Sequence, residues 1–310
     1  MTMRVLNLVT TDKARFFTQQ VEILARRGVE QTTVSLPTPV VEGDGRRSVV
    51  DYLRLLPPTI RHSMGEYDLL HANSGLTAPA AVLQQRLPTV VSLWGTDLMG
   101  RYGPITKEFT KRCDATIVMS EEMATAYGHD CHVIPHGVDL ERFTPQPRSQ
   151  AIEALEWDPN AKHVLFPYPT QRDVKDFPRA EWIVSAVRRR VDPDVELHTV
   201  TGVPHESMSL YMNAADMLLL TSKREGSPNS VKEAMACNLP VVSTPVGDVP
   251  ERLADVSPSV VSEVDETLVS GAVHVITDGR RSNGRDRAHD VSITKMADRL
   301  MEVYREVSAT

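Results

Sequence analysis

Residues 217–243 of this 310-residue chain read MLLLTSKREGSPNSVKEAMACNLPVVS, and this stretch decides the fold. The apolar run Met217–Leu220 predicts a buried strand, and a second run at Pro240–Ser243 predicts another. Between them, Ser227 is a good N-cap and Pro228 suits the first position of a helix through Val231–Ala236. A strand, a helix and a strand in this order predict two parallel strands joined by a crossover helix.

The start of that helix is a candidate anion site. Its free backbone N–H groups and the positive end of its dipole both favour a phosphate. Glu225 stands just before the turn at Gly226, and Glu233 lies roughly a turn and a half into the helix. One carboxylate can therefore reach a sugar while the other reaches further along the same ligand. Local chemistry alone leaves a second interpretation open, an ordinary capped helix with two surface glutamates.

Short apolar runs alternate with helical patterns along most of the chain. Further strands are predicted at Val5–Val9, Thr33–Leu36, Asp68–His71, Thr89–Leu93, Ala115–Met119, Val164–Pro167 and Val195–Val200. Pro37–Gly45 is predicted to be a loop, and Pro145–Asn160 is predicted to hold the interdomain linker and the start of the second domain. The alternation predicts an α/β fold of two doubly wound halves with a cleft between them, with ligands beyond the carboxyl ends of the strands.

Composition narrows the class of protein. Lys and Arg total 34 against 41 Asp and Glu, a net charge of −7, which argues against a nucleic-acid binder. The three cysteines lack metal-ligand spacing and fit a reducing compartment. The N-terminal apolar run is too short for a signal peptide, and no run is long enough to span a membrane. We therefore expect a cytoplasmic protein, with peripheral contact at the inner membrane face left open.

Residues 225–242, EGSPNSVKEAMACNLPVV, resemble the E-x7-E signature of family 4 retaining glycosyltransferases, with Asn238 where glycine is usual. Residues 133–145, VIPHGVDLERFTP, resemble the segment of the same family that leads into the interdomain linker, with His136 where asparagine is usual. Residues 67–72, 92–97 and 119–120 resemble its N-domain motifs more loosely. The resemblance covers most of the chain and is strongest in its second half.

The resemblance implies a GT-B fold, in which two Rossmann-like domains face a cleft. It implies an acceptor-side domain over residues 1–145, a nucleotide-sugar domain over residues 146–292, and a final helix over residues 293–310 that crosses back to the first domain. Met296, Leu300, Met301 and Tyr304 give that helix an apolar face. Both domains look shortened, and the second lacks a strand–helix unit between Val200 and His205.

The resemblance also implies roles for the charged residues. Glu225 contacts the transferred sugar and Glu233 holds the nucleotide ribose. Arg172 and Lys175, which follow a predicted strand, bind the diphosphate. An Arg-x-x-Lys pair by itself is more often a solvated loop pair, and its placement relative to the Glu225 motif favours the diphosphate role. The predicted donor-binding set is completed by Gly226, Ser227, Pro228, Asn229, Ser230 and Gly247, where Gly247 allows close backbone approach or merely forms a turn.

These roles imply a hexosyltransferase that moves a sugar from a nucleotide-sugar donor to a glycan or lipid-linked acceptor with retention of configuration. No Asp-x-Asp pair is apparent, so no metal and no other cofactor is expected. The resemblance suggests same-face attack, in which a donor phosphate oxygen takes the acceptor's proton.

The first domain departs from the family. Trp94 stands where the family has a histidine that contacts the reacting sugar. Trp94, Gly95, Asp97 and His71 are the candidate acceptor or sugar contacts, although a lone histidine at a strand end is more often structural. The paired glycines that follow the family's first strand are replaced by residues 10–17, TTDKARFF.

Residues 48–62 are predicted to be helical. Their apolar positions Val49, Leu53, Leu56 and Ile60 are expected to pack on the core and leave a basic face in solvent, and docking on anionic lipid is the alternative. Two rival functions stay open: a GT-B nucleotide-sugar epimerase, and a degenerate sugar-nucleotide-binding subunit that activates a partner. The missing histidine at Trp94 favours the second, whereas the retained charged residues oppose it.

Overall fold

The computed structural model describes residues 2–36 and 49–309 of the chain. The chain divides into two compact units, one formed by Met1–His136 with Met296–Thr310 and the other by Gly137–Lys295. The loop predicted at Pro37–Gly45 lies outside the described residues, as does Ser48 at the start of the helix predicted over residues 48–62. Residues 137–145, which the sequence assigned to the first domain, belong to the second unit.

Unit 1 is built on a parallel sheet of six strands in the order β2-β1-β3-β4-β5-β6. The strands are β1 Arg4–Val9, β2 Glu30–Ser35, β3 Leu69–Ala72, β4 Thr89–Ser92, β5 Ala115–Val118 and β6 His132–Val133. The three strands β3, β4 and β5 are buried along their whole length, because helices cover both faces of a parallel sheet. Five of the six strands match the predicted runs, and β6 is too short to produce a pattern in the sequence.

The helices of unit 1 connect these strands. They are α1 Arg15–Arg26, α2 Val49–Leu53, α3 Leu56–Ser63, α4 Ala78–Leu83, α5 Thr96–Met99, α6 Gly103–Thr110 and α7 Glu121–Tyr127. A 3₁₀ turn at Gly75–Thr77 precedes α4.

The helix predicted over residues 48–62 is two helices, α2 and α3, and its predicted core face is wrong. Leu53 is 54% exposed and Ile60 is 42% exposed. The chain restarts at α3, whose first turn accepts prolines because the N–H groups there need no helical partner. This restart turns Leu55 and Thr59 toward the core instead, and the Thr59 hydroxyl donates to the Leu55 carbonyl at 2.7 Å.

Unit 2 contains a second parallel sheet, in the order β11-β10-β9-β7-β8. Its strands are β7 Lys162–Phe166, β8 Val195–Thr199, β9 Met217–Leu220, β10 Val241–Ser243 and β11 Val260–Val261. The central strand β9 is fully buried and pairs with β10 and β7. The chain passes from β8 to a 3₁₀ turn at His205–Ser207 with no strand or helix between them, as predicted.

The helices of unit 2 are α8 Arg148–Leu155, α9 Phe177–Arg188, α10 Met208–Ala214, α11 Asn229–Ala236, α12 Val249–Leu253, α13 Asp265–Asp278 and α14 Gly284–Ala288. The helix α8 occupies the stretch predicted to hold the interdomain linker and the start of the second domain. Ala151 and Ile152 on α8 are buried against Ala214, so this stretch is packed structure of unit 2 and not a free connection.

The final helix, α15, spans Ile293–Ser308, and its residues from Met296 onward belong to unit 1. All four apolar positions predicted to face a core are buried, and Tyr304 is fully so. The Tyr304 hydroxyl lies 2.6 Å from Nδ1 of His71 on β3. Within the described ranges, no helix is long and apolar enough to cross a membrane.

Candidate functional site

The predicted donor residues of unit 2 follow the carboxyl ends of two adjacent strands. The chain leaves β7 at Phe166 and continues to a 3₁₀ turn at Asp173–Lys175, and it leaves β9 at Leu220 and continues to Glu225. The two segments are tied together, because the Thr221 hydroxyl donates to the Lys175 carbonyl at 2.9 Å. Parallel strands thereby deliver residues that are far apart in sequence to one edge of the sheet.

Glu225 and Lys175 meet at this edge. The ammonium Nζ of Lys175 lies 2.5 Å from Oε1 of Glu225, and the Ser222 hydroxyl donates to the same oxygen at 2.7 Å. Lys175 also lies over the ring of Tyr168, 3.7 Å from its centroid. Burial lowers the pKa of Lys175, while the neighbouring carboxylate opposes that shift. The pair is a half-buried carboxylate and its cation, held by hydrogen bonds from both segments.

Arg172 occupies a different environment from Lys175. It is exposed at the start of the 3₁₀ turn, and it takes part in none of the ion pairs among residues 2–36 and 49–309. The neighbouring exposed pair is formed by Lys223 and Asp173, whose Nζ and Oδ1 atoms are 3.0 Å apart. Arg172 is therefore a solvent-facing guanidinium beside the buried Lys175, able to engage an anionic ligand with two parallel hydrogen bonds.

The helix predicted to begin at Pro228 begins one residue later. Pro228 is the N-cap of α11, no side chain caps the helix, and Asn229 is its first residue. Ser227 is therefore not the N-cap, because its hydroxyl donates to Oδ2 of Asp248 at 2.8 Å and accepts from Nζ of Lys232 at 2.9 Å. With no side chain covering them, the backbone N–H groups at the start of α11 can meet a ligand.

The loop before α11 touches a second loop at two glycines. A Cβ added to Gly247 would lie 2.3 Å from the carbonyl oxygen of Gly226, and Gly247 has a φ of +56°. Only glycine permits both this conformation and this approach. The close backbone approach predicted for Gly247 is therefore an approach to the loop that carries Glu225.

Lys232 lies beneath this loop and was not singled out from the sequence. It is buried in α11, and burial lowers its pKa to about 8 although Asp248 opposes the shift. Asp248 also accepts from Nε of Arg252 at 2.9 Å. These groups hold Ser227 and therefore fix the path of the loop.

Glu233 is paired with a histidine that sequence patterns did not reveal. Nε2 of His205 lies 2.7 Å from Oε1 of Glu233, and Nδ1 of His205 lies 3.3 Å from the guanidinium of Arg142. The His205 ring also packs on Phe143 at 5.1 Å between centroids. His205 belongs to no motif in the sequence, and only the fold brings it to α11.

Ser230, another predicted donor contact, is buried, and its hydroxyl hydrogen-bonds the hydroxyl of Tyr168. Burial raises the pKa of Tyr168, so this phenol remains protonated. Ser230 therefore joins α11 to the segment after β7, and its hydroxyl is already engaged.

Unit 1 contains a cavity of about 580 Å³ that includes two of the predicted acceptor contacts, Trp94 and Asp97. Trp94 packs on Phe16 with ring centroids 4.1 Å apart, and its indole Nε1 donates to the Asn73 carbonyl at 2.9 Å. The remaining lining residues are Thr10, Tyr52, Ser74, Leu76, Thr96, Arg101 and Tyr102. Thr10 and Phe16 belong to the stretch that replaces the family's paired glycines, so this stretch lines the cavity.

Asp97 and Gly95 shape the cavity wall. The Asp97 carboxylate accepts the backbone N–H groups of Gly75 at 2.8 Å and Trp94 at 2.9 Å. Burial raises the pKa of Asp97, and these backbone hydrogen bonds oppose the shift. Gly95 has a φ of +104°, which lets the chain turn directly from Trp94 into α5. Asp97 therefore holds the loop that carries Trp94.

His71 is not available to a substrate. It is fully buried, with Nδ1 on the Tyr304 hydroxyl and Nε2 2.8 Å from the Ser92 hydroxyl. Burial lowers its pKa to about 3, so the ring is neutral. Its place among the candidate acceptor contacts is therefore corrected: His71 is a core residue that links β3, β4 and α15.

Two family models match the chain. Residues 9–142 match Glycosyltransferase Family 4, and residues 176–278 match Glycosyl transferases group 1. The first range contains Trp94, and the second contains Glu225 and Glu233.

Curated relatives agree with these matches. A Bacillus subtilis glycosyltransferase assigned to teichuronic acid biosynthesis is 27% identical over 59% of this chain and 54% of its own length. The chain therefore spans about half the length of that relative. A D-inositol 3-phosphate glycosyltransferase of Catenulispora acidiphila is 25% identical over 78% of this chain and 72% of its own length.

Solved structures share the fold. The Anabaena protein HepE, solved in complex with UDP, matches with a TM-score of 0.75 at 14% identity over 99% of this chain and 100% of that protein. HepE was also solved with UDP-glucose. The shared structures show that this chain has the GT-B fold, and both of its halves are similar to glycosyltransferases.

Proposed function

We propose that the chain is a retaining hexosyltransferase, which moves a sugar from a nucleotide-sugar donor to a glycan or lipid-linked acceptor. The observation that carries this proposal is the pair formed by Lys175 and Glu225 at the carboxyl edge of a parallel sheet. The pair adjoins a glycine loop and the uncapped start of α11. A cation and free N–H groups suit a diphosphate, and a carboxylate beside them suits the hydroxyls of the attached sugar.

The diphosphate of the donor would be held by three groups. Arg172 supplies a fork-shaped guanidinium, Lys175 a point charge, and α11 its first N–H groups. Charge accumulates on the diphosphate as it departs, so these groups would stabilise the transition state more than the bound donor. They would replace a divalent metal in that role, which makes the proposed reaction metal-independent. Because HepE binds UDP and UDP-glucose, UDP-glucose is the first donor to test.

The proposed chemistry breaks the bond between the anomeric carbon and the diphosphate oxygen, and the diphosphate leaves with the electron pair. An acceptor hydroxyl then attacks from the same face, forms the new C–O bond, and passes its proton to a donor phosphate oxygen. Glu225 would accept hydrogen bonds from sugar hydroxyls and face the positive charge that develops on the sugar. During this step Lys175 would contact both Glu225 and the donor phosphate.

The nucleotide end of the donor would lie against Glu233. A carboxylate can accept hydrogen bonds from both ribose hydroxyls, and the contact with His205 would hold that carboxylate in one orientation. Glu233 would then contribute to donor affinity and only indirectly to the rate.

The acceptor would occupy the cavity of unit 1. Phe16, Tyr52, Trp94 and Tyr102 give it aromatic walls suited to sugar faces. A smaller apolar groove shares Tyr52, Leu76 and Tyr102 with the cavity and continues over Pro79, Ile105 and Phe109. An acceptor with both a sugar and an apolar chain would fill both spaces. We propose a lipid-linked acceptor for this reason, met at the inner face of the cytoplasmic membrane.

Donor turnover separates the proposal from its rivals. The purified chain would be incubated with UDP-glucose and other nucleotide sugars, with and without a lipid-linked acceptor extract and with EDTA. A transferase releases nucleotide faster with acceptor, whereas an epimerase converts the donor without it and a degenerate subunit only binds it. NMR of the product should show the donor's anomeric configuration. Inversion would refute the retaining mechanism, and loss of activity in EDTA would refute metal independence.

A further inference from the structure

Two histidines and a glutamate converge on one face of the sheet of unit 2, apart from the proposed donor site. His163 lies on β7, and Glu196 and His198 lie on the edge strand β8. The strand register pairs His163 with Glu196 and Leu165 with His198, so all three side chains project to the same face. His163 stands near the amino end of β7, about 10 Å along the strand from the carboxyl end that the donor residues follow.

The three donor atoms have the spacing of a tetrahedral metal site. Nδ1 of His163 lies 2.9 Å from Nε2 of His198, and Oε2 of Glu196 lies 3.6 Å and 3.3 Å from these two nitrogens. Ligands about 2.0–2.1 Å from a tetrahedral zinc ion are about 3.3–3.4 Å apart. A point roughly 2.0–2.1 Å from all three atoms therefore exists just outside their plane.

Neighbouring groups fix the orientation of both histidine rings. Nε2 of His163 donates to the backbone carbonyl of Asp158 at 2.9 Å, so in the neutral ring the lone pair is on Nδ1, which faces the other two groups. The His198 ring stacks on Trp157 with centroids 3.7 Å apart and planes 10° apart, which fixes its direction.

Exposure leaves the cluster open to an ion from solvent. The His163 side chain is fully buried, whereas His198 is 18% exposed and Glu196 is 46% exposed. Water can thus complete a fourth coordination position on the exposed side. Two imidazole nitrogens and one carboxylate oxygen form a ligand set typical of zinc, and a poor one for Mg²⁺ or Ca²⁺, which prefer oxygen ligands.

We infer that His163, Glu196 and His198 form a binding site for Zn²⁺ that fastens the edge strand β8 to β7. The bound ion would replace the hydrogen bond between the two rings with coordination bonds across the strand pair. It would stabilise unit 2 and take no part in sugar transfer. This inference does not depend on the proposed function.

Calorimetric titration of Zn²⁺ into the tag-free full chain tests the site. We expect saturable binding of one ion per chain, with Mg²⁺ producing no heat and no competition. His198→Phe retains the stack on Trp157 but removes the ligand nitrogen, and Glu196→Gln retains the shape but removes the charge. Each should weaken Zn²⁺ binding at least about 10–100-fold. His274→Ala, a change at an exposed histidine on α13, should leave it unchanged.

Three further measurements test the site. Zn²⁺ should raise the melting temperature of the wild type and of His274→Ala, but not of His198→Phe. Co²⁺ should give the intense visible absorption of tetrahedral coordination in the wild type and in His274→Ala, but not in His198→Phe. UDP-glucose binding by Glu196→Gln should equal that of the wild type. Absence of saturable Zn²⁺ binding, or binding as tight as that of the wild type in both site variants, would overturn the inference.

Discussion

Lys175 and Glu225 are 50 residues apart in the chain, yet their Nζ and Oε1 atoms are 2.5 Å apart in unit 2. The cation follows one strand and the carboxylate follows its neighbour, so the sheet itself brings them together. The Ser222 hydroxyl donates to the same carboxylate oxygen at 2.7 Å. Because the pair shares one site, a change in either residue alters the electrostatics of the other.

The first prediction concerns the two cations. Lys175→Ala and Arg172→Ala should both weaken donor binding and slow turnover, because the charges act on the phosphates in the bound state and in the transition state. Lys175→Ala should have the larger effect, about 100–1,000-fold in kcat, since it also leaves Glu225 without its cation. Lys223→Ala removes a nearby exposed cation and serves as the control. If both variants had the kinetics and the donor affinity of the wild type, Arg172 and Lys175 would be only solvated loop residues.

The second prediction separates the two glutamates. Glu225→Gln retains the shape and removes the charge, so turnover should fall on the order of tenfold to a thousandfold with donor affinity changed less. Glu233→Gln should act mainly on donor affinity. Steady-state kinetics and donor calorimetry on both variants, beside Glu181→Gln on the exposed face of α9, measure the difference. A normal rate in Glu225→Gln, or the opposite division of effects, would contradict the assignment.

A third prediction follows from the contact of His205 with Glu233. His205→Phe preserves packing on Phe143 but removes the nitrogen that meets the carboxylate. Donor affinity should fall, because Glu233 is then free to leave its orientation. In a double-mutant cycle with Glu233→Gln, the two losses should be non-additive by about 0.5–3 kcal/mol. Additive losses would mean that His205 does not position Glu233.

A fourth prediction compares two glycines with positive φ. Gly247→Ala forces a Cβ against the Gly226 carbonyl, whereas Gly202→Ala at φ +74° meets no atom within 4 Å. Gly202→Ala should cost only the backbone strain, about 1–2 kcal/mol. Gly247→Ala should lower the melting temperature further and also lower donor affinity, because the Glu225 loop must move. Equal melting temperatures and unchanged donor affinity would exclude the proposed close approach.

A fifth prediction concerns pH. Burial holds the pKa of His71 at about 3, below its ordinary value of 6.5, so the unfolded chain binds the proton more readily. The stability contributed by the neutral ring is complete above pH 6.5 and is lost as the pH falls from 6.5 toward 3. The free energy of unfolding should fall by about 2 kcal/mol between pH 6.5 and pH 5 on this account.

Urea denaturation at several pH values measures this slope. His198, whose pKa is also lowered, contributes in the same direction, so the comparison must be with variants. His71→Gln should flatten the dependence by the share of His71, and His274→Ala, at an exposed histidine, should not change it. An unchanged slope in His71→Gln would show that another group controls acid stability.

Much of the fold is readable in the sequence, because buried parallel strands need continuous apolar runs. Met217–Leu220 is a strand at the predicted bounds, and the first strand differs by one residue. The short edge strands β6 and β11 were missed, since two residues produce no pattern. The face of residues 48–62 was mistaken because the chain restarts at α3 with a new helical register. Pro57 and Pro58 mark this interruption in the sequence, but they do not show which residues then face the core.

The amino-acid sequence alone predicts the order of strands and helices along the chain, the glycine-containing turn before α11, and which charged residues follow which strand. These are properties of neighbours along the chain, and local backbone preferences encode them. Only the tertiary structure decided that Lys175 meets Glu225 and that His205 meets Glu233. It also decided that Ser227 turns to Asp248 instead of capping its helix. Such pairs depend on the order of the strands within the sheet and on the paths of the loops. These bring together residues whose separation in sequence carries no information about their distance in space.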